Sequence, residues 1–234
     1  MKKLPPKKTF LNLLSIIATL LLLHIGSYLY LENNNLDPES FFFRKLNFNN
    51  ERNLPTLFSV ILHLSASYLL AAIALSKLQL KNRKWFWGTL SLVFLFLGLD
   101  ELFTIHERIP TNTYSFEEES IFFYNWVVTY IIAIILLAVI FARPLLSLPK
   151  KTLFQFIFAG VIFVSGAVVL ESIAANIVFQ RELTHEEVTL DPVIFTLATF
   201  EELFEMLGVA LFIYALLDFM KKYRIDPKPV EKLQ

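Results

Sequence analysis

The chain has 234 residues, 56% of them hydrophobic and 24 of them Phe, with 21 basic and 21 acidic side chains that balance to zero formal charge. Soluble domains carry roughly 45–50% apolar residues even when Gly is counted, so the composition indicates a membrane domain, and the zero net charge gives no basis for a nucleic-acid partner. Cys is absent, which excludes disulfides, thiolate metal sites, Cys nucleophiles and palmitoylation.

The N-terminal MKKLPPKKTF leads into an apolar run from Leu11 to Tyr30. At about 20 residues this run is long enough to cross a ~30 Å hydrocarbon layer. A secretory core is shorter, about 7–15 residues, and ends in small residues, whereas this run ends Tyr-Leu-Tyr-Leu-Glu. It reads as a retained first span. Five more apolar segments follow, so that the set covers about 10–31, 55–77, 85–107, 120–142, 151–179 and 193–219. Breakers separate them: Asp37-Pro38 and Pro55, the run Lys81-Asn82-Arg83-Lys84, Pro110, Pro144 with Pro149, and Asp191-Pro192. The expected fold is all-α, a six-transmembrane-helix bundle forming one integral membrane domain over residues 1–234.

Lys and Arg set the expected orientation. Sixteen of the 21 fall on the side of the termini, and Arg44, Lys45, Arg52, Arg108 and Arg181 fall on the other. Both termini are therefore expected in the cytoplasm.

Charge inside the apolar segments is concentrated in few places. Segment three ends LFLGLDELFTIHER, with Asp100, Glu101, His106 and Glu107 within eight residues. Segment five holds Glu171, and segment six holds Glu201, Glu202 and Glu205. A charged group near a bilayer centre costs about 3 kcal/mol on insertion scales and ~10 or more on an isolated helix. Helix rise puts Asp100 ~22 Å from the inner edge and the segment-six acids ~14–20 Å below the outer one. All the intramembrane carboxylates, with His24 and His63, thus fall from mid-membrane outward. At 100° per residue Asp100, Thr104 and Glu107 share a face, and Glu201, Glu205 and Gly208 share another. Glu171 shares its face with Ala167, Ala174 and Ala175, beside a stripe of Ser165, Ser172 and Asn176. Gly208 would let a second backbone approach closely.

Carboxylates placed together cannot all ionise without cations. They hold protons, or they bind metal, or a water-filled cavity solvates them. Oxygen donors with an imidazole suit Zn²⁺, Mn²⁺ or iron, with Asp100, Glu101, His106, Glu107, Glu171, Glu201, Glu202 and Glu205 as the candidate ligands. No segment contains the Glu-x-x-His of bundle di-iron sites. His24 and His63 lie at matched depth, but a membrane His more often bonds a neighbouring helix, and haem is not assigned. The Ser residues near His63 lack an activating partner and read as packing residues.

The set LDELFTIHERI, Asn125-Trp126, Gly166-Ala167…Glu171 and TFEELFEMLG (199–208) resembles a family of uncharacterised bacterial multi-pass membrane proteins with DE…IHE, GA…E and EE..EM-G patterns on successive helices. The resemblance covers roughly 85–217 and implies a bacterial cytoplasmic membrane. It implies the same residue set and no reaction. The leading expectation is a membrane protein of unknown activity whose acidic and His site binds a divalent metal cation. An enzyme acting on a lipid or quinone-like small molecule drawn from the bilayer is one form this could take, and whether the chain is an enzyme is left open. The alternatives are a proton- or cation-coupled transporter or channel, and a non-catalytic assembly scaffold.

Overall fold

The computed structural model describes residues 5–34, 37, 40–76, 84–108, 125–183, 187–188 and 191–225, and the side chains of Glu107, Asn125 and Trp126 lie outside that description. Among the described residues every regular element is helical. These are α1 (Pro6–Asn34), the single turn α2 (Phe41–Arg44), α3 (Leu54–Leu75), α4 (Lys84–Phe103), α5 (Asn125–Leu146), α6 (Lys150–Val164), α7 (Glu171–Gln180) and α8 (Pro192–Tyr223). A π-helical stretch, Ser165–Leu170, joins α6 to α7, so that the two form one long span. Six helices are long and apolar enough to cross a membrane, in the places the hydropathy pattern assigns.

Local chemistry sets the helix ends. Asn53 caps α3 by accepting the Thr56 N–H, and Pro55 follows in the first turn. Asp191 caps α8 through the N–H groups of Val193 and Ile194, again ahead of a proline. A proline there gives up only an N–H with no helical partner. At the other ends Thr104, Glu182 and Arg224 turn left-handed. Each lets the next amide bond back across the last turn, as Ile105 N–H does to Asp100 C=O at 3.3 Å.

Three boundaries depart from expectation. Segment three stops at Phe103 rather than near 107, because Thr104 adopts φ 49° and the Asp100 carboxylate then takes the His106 N–H. Glu107 falls in a 3-10 turn, so the expected shared face of Asp100, Thr104 and Glu107 does not exist. Segment five is not one regular α-helix, since the π-helical stretch inserts ahead of Glu171. Segment four runs through Pro144 to Leu146, and Pro144 has no N–H to give the Ile140 carbonyl, a loss confined to the last turns of the helix.

α8 is the central post and packs against α1, α3 and α6. Its second half is buried almost continuously from Met206 to Met220. Around it Phe86, Trp87, Phe156, Phe212 and Phe219 form an interlocked aromatic cluster. α5 stands apart. It touches the bundle through few side chains, Tyr130 near one end, Phe141 near the other and Leu137 between them. Its outer face exposes Ile132, Ile135, Leu136, Val139 and Ile140, which suits contact with lipid chains.

Candidate functional site

The end of α4 is locked by Asp100. Its Oδ1 accepts the His106 N–H at 2.8 Å, and its Oδ2 accepts the Tyr130 hydroxyl at 2.6 Å from α5. His106 Nδ1 stands 3.3 Å from the same Oδ2. Asp100 is 6% exposed, so these contacts are what make its burial tolerable. They also commit both of its oxygens and pull α5 onto the bundle.

Two glycines bring the remaining acids together. A Cβ on Gly208 would lie 2.7 Å from Phe163 Cβ and 2.8 Å from its backbone N. A Cβ on Gly166 would lie 2.6 Å from the Glu201 carbonyl oxygen and 3.2 Å from Glu205 Cγ. α8 and the fifth span therefore meet backbone to backbone, and the π-helical stretch sits on the acidic face of α8. π-Helical insertions of this kind often occur at functional sites. As a result the Glu171 and Glu201 carboxyl groups come within interaction range of each other. Glu202 interacts electrostatically with Glu101, Glu205, Glu51 and Glu171, and Glu205 with Glu101, Glu171, Glu51 and Asp100. Glu101 in turn feels Glu51, His106 and Asp100. Each of these helix-borne glutamates is half-buried. Among the described residues none of Glu101, Glu201, Glu202 and Glu205 pairs with Lys or Arg.

Glu51, which is exposed, belongs to the loop ahead of α3. That loop is knitted by asparagines. Asn47 Nδ2 donates to Asn50 Oδ1, and Asn53 Nδ2 donates to the carbonyls of Asn47 and Asn50. His24 fastens it to the bundle. The Phe48 N–H donates to His24 Nδ1 at 3.1 Å, which leaves the proton on Nε2 for Thr199 Oγ1 at 2.8 Å. The Thr199 hydroxyl then donates to Phe195 C=O, and the imidazole stacks between Phe48 and Phe195. One histidine thus ties α1, the loop and α8 into a wall beside the acids.

Residues 13–219 match the family described as Domain of unknown function (DUF8692). The chain belongs to this family. The match takes in every acid of the cluster, and neither the curated proteins nor the solved structures yield a match. In this DUF8692 chain the fold brings Glu101, Glu171, Glu201, Glu202 and Glu205 together, with His106 and Asp100 at the edge. The Glu107 side chain lies outside the described residues. Among the described residues no three His, Asp or Glu side chains converge on a common centre as their rotamers stand.

The sequence did not single out Glu51 or Tyr130. Glu51 has no distinguishing local pattern beyond the asparagine-rich turn NFNNERN, and Tyr130 is one aromatic in an apolar helix. His63 differs from His24. Its Nδ1 bonds Ser59 C=O at 2.9 Å, and Nε2 is buried with no partner among the described residues. Gly98 makes room for it, since a Cβ there would lie 3.1 Å from His63 Cβ.

Proposed function

We propose that this protein is a membrane-embedded cation-binding protein whose acidic cluster takes a divalent metal ion. One observation carries the reading. Glu101, Glu202 and Glu205, from two spans, act on one another electrostatically with Glu51 at the rim, and no Lys or Arg pairs with the three span residues among the described residues. Two carboxylates 4 Å apart repel by about 4 kcal/mol at an effective dielectric of 20, so several together need positive charge among them. Glutamate side chains rotate freely enough about three torsions to converge on an ion from neighbouring turns. Oxygen donors with the His106 imidazole beside them fit Mn²⁺, Zn²⁺ or Fe²⁺. Asp100, already engaged by His106 and Tyr130, then serves to position His106 rather than to bind the ion.

A second reading has its own observation. The Glu171 and Glu201 carboxyl groups are placed to share a hydrogen bond, which requires that one of them hold a proton. This favours a protonated pair, of the kind a proton-coupled carrier uses, at the side of the cluster nearest the π-helical stretch.

Glutamine separates the two. It is neutral, nearly isosteric and still donates a hydrogen bond. Thermal unfolding of the detergent-purified protein is followed with and without Mn²⁺, Zn²⁺ or Fe²⁺. The metal reading predicts a stabilising shift in the wild type that Glu202→Gln and Glu205→Gln abolish. A proton-only cluster predicts no shift with any of the three ions, unchanged stability in Glu201→Gln, and proton uptake by proteoliposomes that this substitution removes.

A further inference from the structure

Between α5 and the fifth span runs a slot that the acidic cluster does not explain. One cavity, about 510 Å³, is lined by Phe86, Phe94 and Leu97 of α4, by Leu137 and Phe141 of α5, and by the fifth span from Phe156 to Val169. A second, about 340 Å³, continues from Val169 past Ser172 and Asn176 to Gln180, with Ile131 of α5 opposite. Val169 lines both. The lining changes along the slot. The larger cavity is apolar and aromatic, with Ser165 near its end. The smaller carries Ser172, Asn176 and Gln180 at four-residue spacing, on one face of α7. Ser172 already donates to Val168 C=O, while the Asn176 and Gln180 amides have no protein partner among the described residues. Among the described residues no charged side chain lines either cavity.

We propose that this slot binds a prenylated quinone from the bilayer. Three features of the slot bear on that occupant. The apolar part follows the fifth span for roughly 20 Å from Phe156 to Val169, which exceeds the ~15 Å of hydrocarbon in one leaflet. A long polyprenyl tail and a long acyl chain can both fill that length, so it is the polar end that selects the head and with it the occupant. Among the described residues the polar end offers neutral amide donors and no cation, which suits uncharged carbonyl oxygens better than a phosphate head. Its volume is ring-sized, whereas a bare hydroxyl, near the ~30 Å³ share of one water, would leave most of it empty. The ring would sit beside Ser172, one residue from Glu171 of the acidic cluster. Binding itself does not depend on what neutralises that cluster.

Gly160 supplies the test, because it lines the larger cavity and a Cβ there meets nothing within 4 Å. Full-length protein in nanodiscs is titrated with a quinone bearing four isoprene units, with a polyprenyl alcohol of equal chain length and with a diacylglycerol. The expected result is saturable binding of the quinone at one per chain, tighter than either other lipid. Gly160→Phe should weaken it by about tenfold or more with unchanged melting temperature. Asn176→Leu, which leaves the tail site intact, should weaken the quinone and leave the alcohol unaffected. Equal quinone binding by wild type and Gly160→Phe, or preference for the alcohol or the diacylglycerol, would overturn the proposal. So would a disulfide formed between two copies of Ala138→Cys, since it would show that a second chain covers the slot.

Discussion

α8 passes through two environments that share one helix and little else. From Met206 to Met220 it is wrapped by aromatic rings, Trp87 and Phe86 among them at 0% and 1% exposure. From Pro192 to Glu205 it carries three glutamates, and its buried positions are few. The aromatic-wrapped half stabilises by burying apolar surface and packing closely. The acidic half holds like charges together and depends on its surroundings to keep them there: the glycine contacts, the His24 wall and the Asp100 lock. Close packing in this molecule is concentrated at the aromatic end of α8, and the carboxylates gather at the other end.

Substitutions at the two ends should therefore have opposite signatures. Trp87→Ala should cost about 3–5 kcal/mol while leaving cation binding by the surviving folded protein unchanged. His24→Ala removes two hydrogen bonds and a ring stacked between two others. Its cost should be about 2–3 kcal/mol, and it should also weaken cation affinity, because the loop carrying Glu51 is released. Gly166→Ala presses a methyl group against the Glu201 carbonyl oxygen. It should cost about 1–3 kcal/mol and separate Glu171 from Glu201, which infrared spectroscopy of the carboxyl stretch would detect as loss of the shared-proton band.

The acidic end should gain what the aromatic end loses. Glu202→Gln removes a charge from the cluster and should leave the melting temperature in chelator unchanged or raised, as at other sites where function is held against stability. A marked loss of stability in chelator would place Glu202 among the structural residues instead.

The smallest effect concerns the entry to α8. The Ile194 and Val193 amides and Arg181 hold the Asp191 carboxyl below its ordinary range, against a smaller opposing effect of burial. A lowered folded-state value means that the cap contributes stability above the unfolded pKa and loses it as pH falls through the folded one. Asp191→Ala should cost about 1 kcal/mol at neutral pH, and the difference from wild type should shrink on acidification. A difference independent of pH would remove the charge from the explanation.

Much of this layout is readable in the sequence because lipid imposes strict rules. Six apolar runs of spanning length fix six helices, and glutamates within them announce a polar centre. Gly208 follows Glu205 by three residues, so helix periodicity alone marks the face on which another backbone arrives. What periodicity does not carry is any local change of helix type. The π-helical stretch at Ser165–Leu170 and the left-handed Thr104 both depend on tertiary partners, the α8 backbone in one case and the Asp100 carboxylate in the other. Glu51 was not recognisable for a related reason. A loop acid becomes part of a site only when folding brings the loop there, and the anchor that does so, His24 to the Phe48 amide, bridges 24 residues.

Elemental analysis of the purified protein, wild type beside the Glu202→Gln/Glu205→Gln double substitution, tests the central claim most directly. The account predicts close to one equivalent of Mn, Zn or Fe per wild-type chain, and its loss from a double variant that remains folded. A folded wild type that retains no stoichiometric metal after purification in metal-supplemented buffer would contradict it.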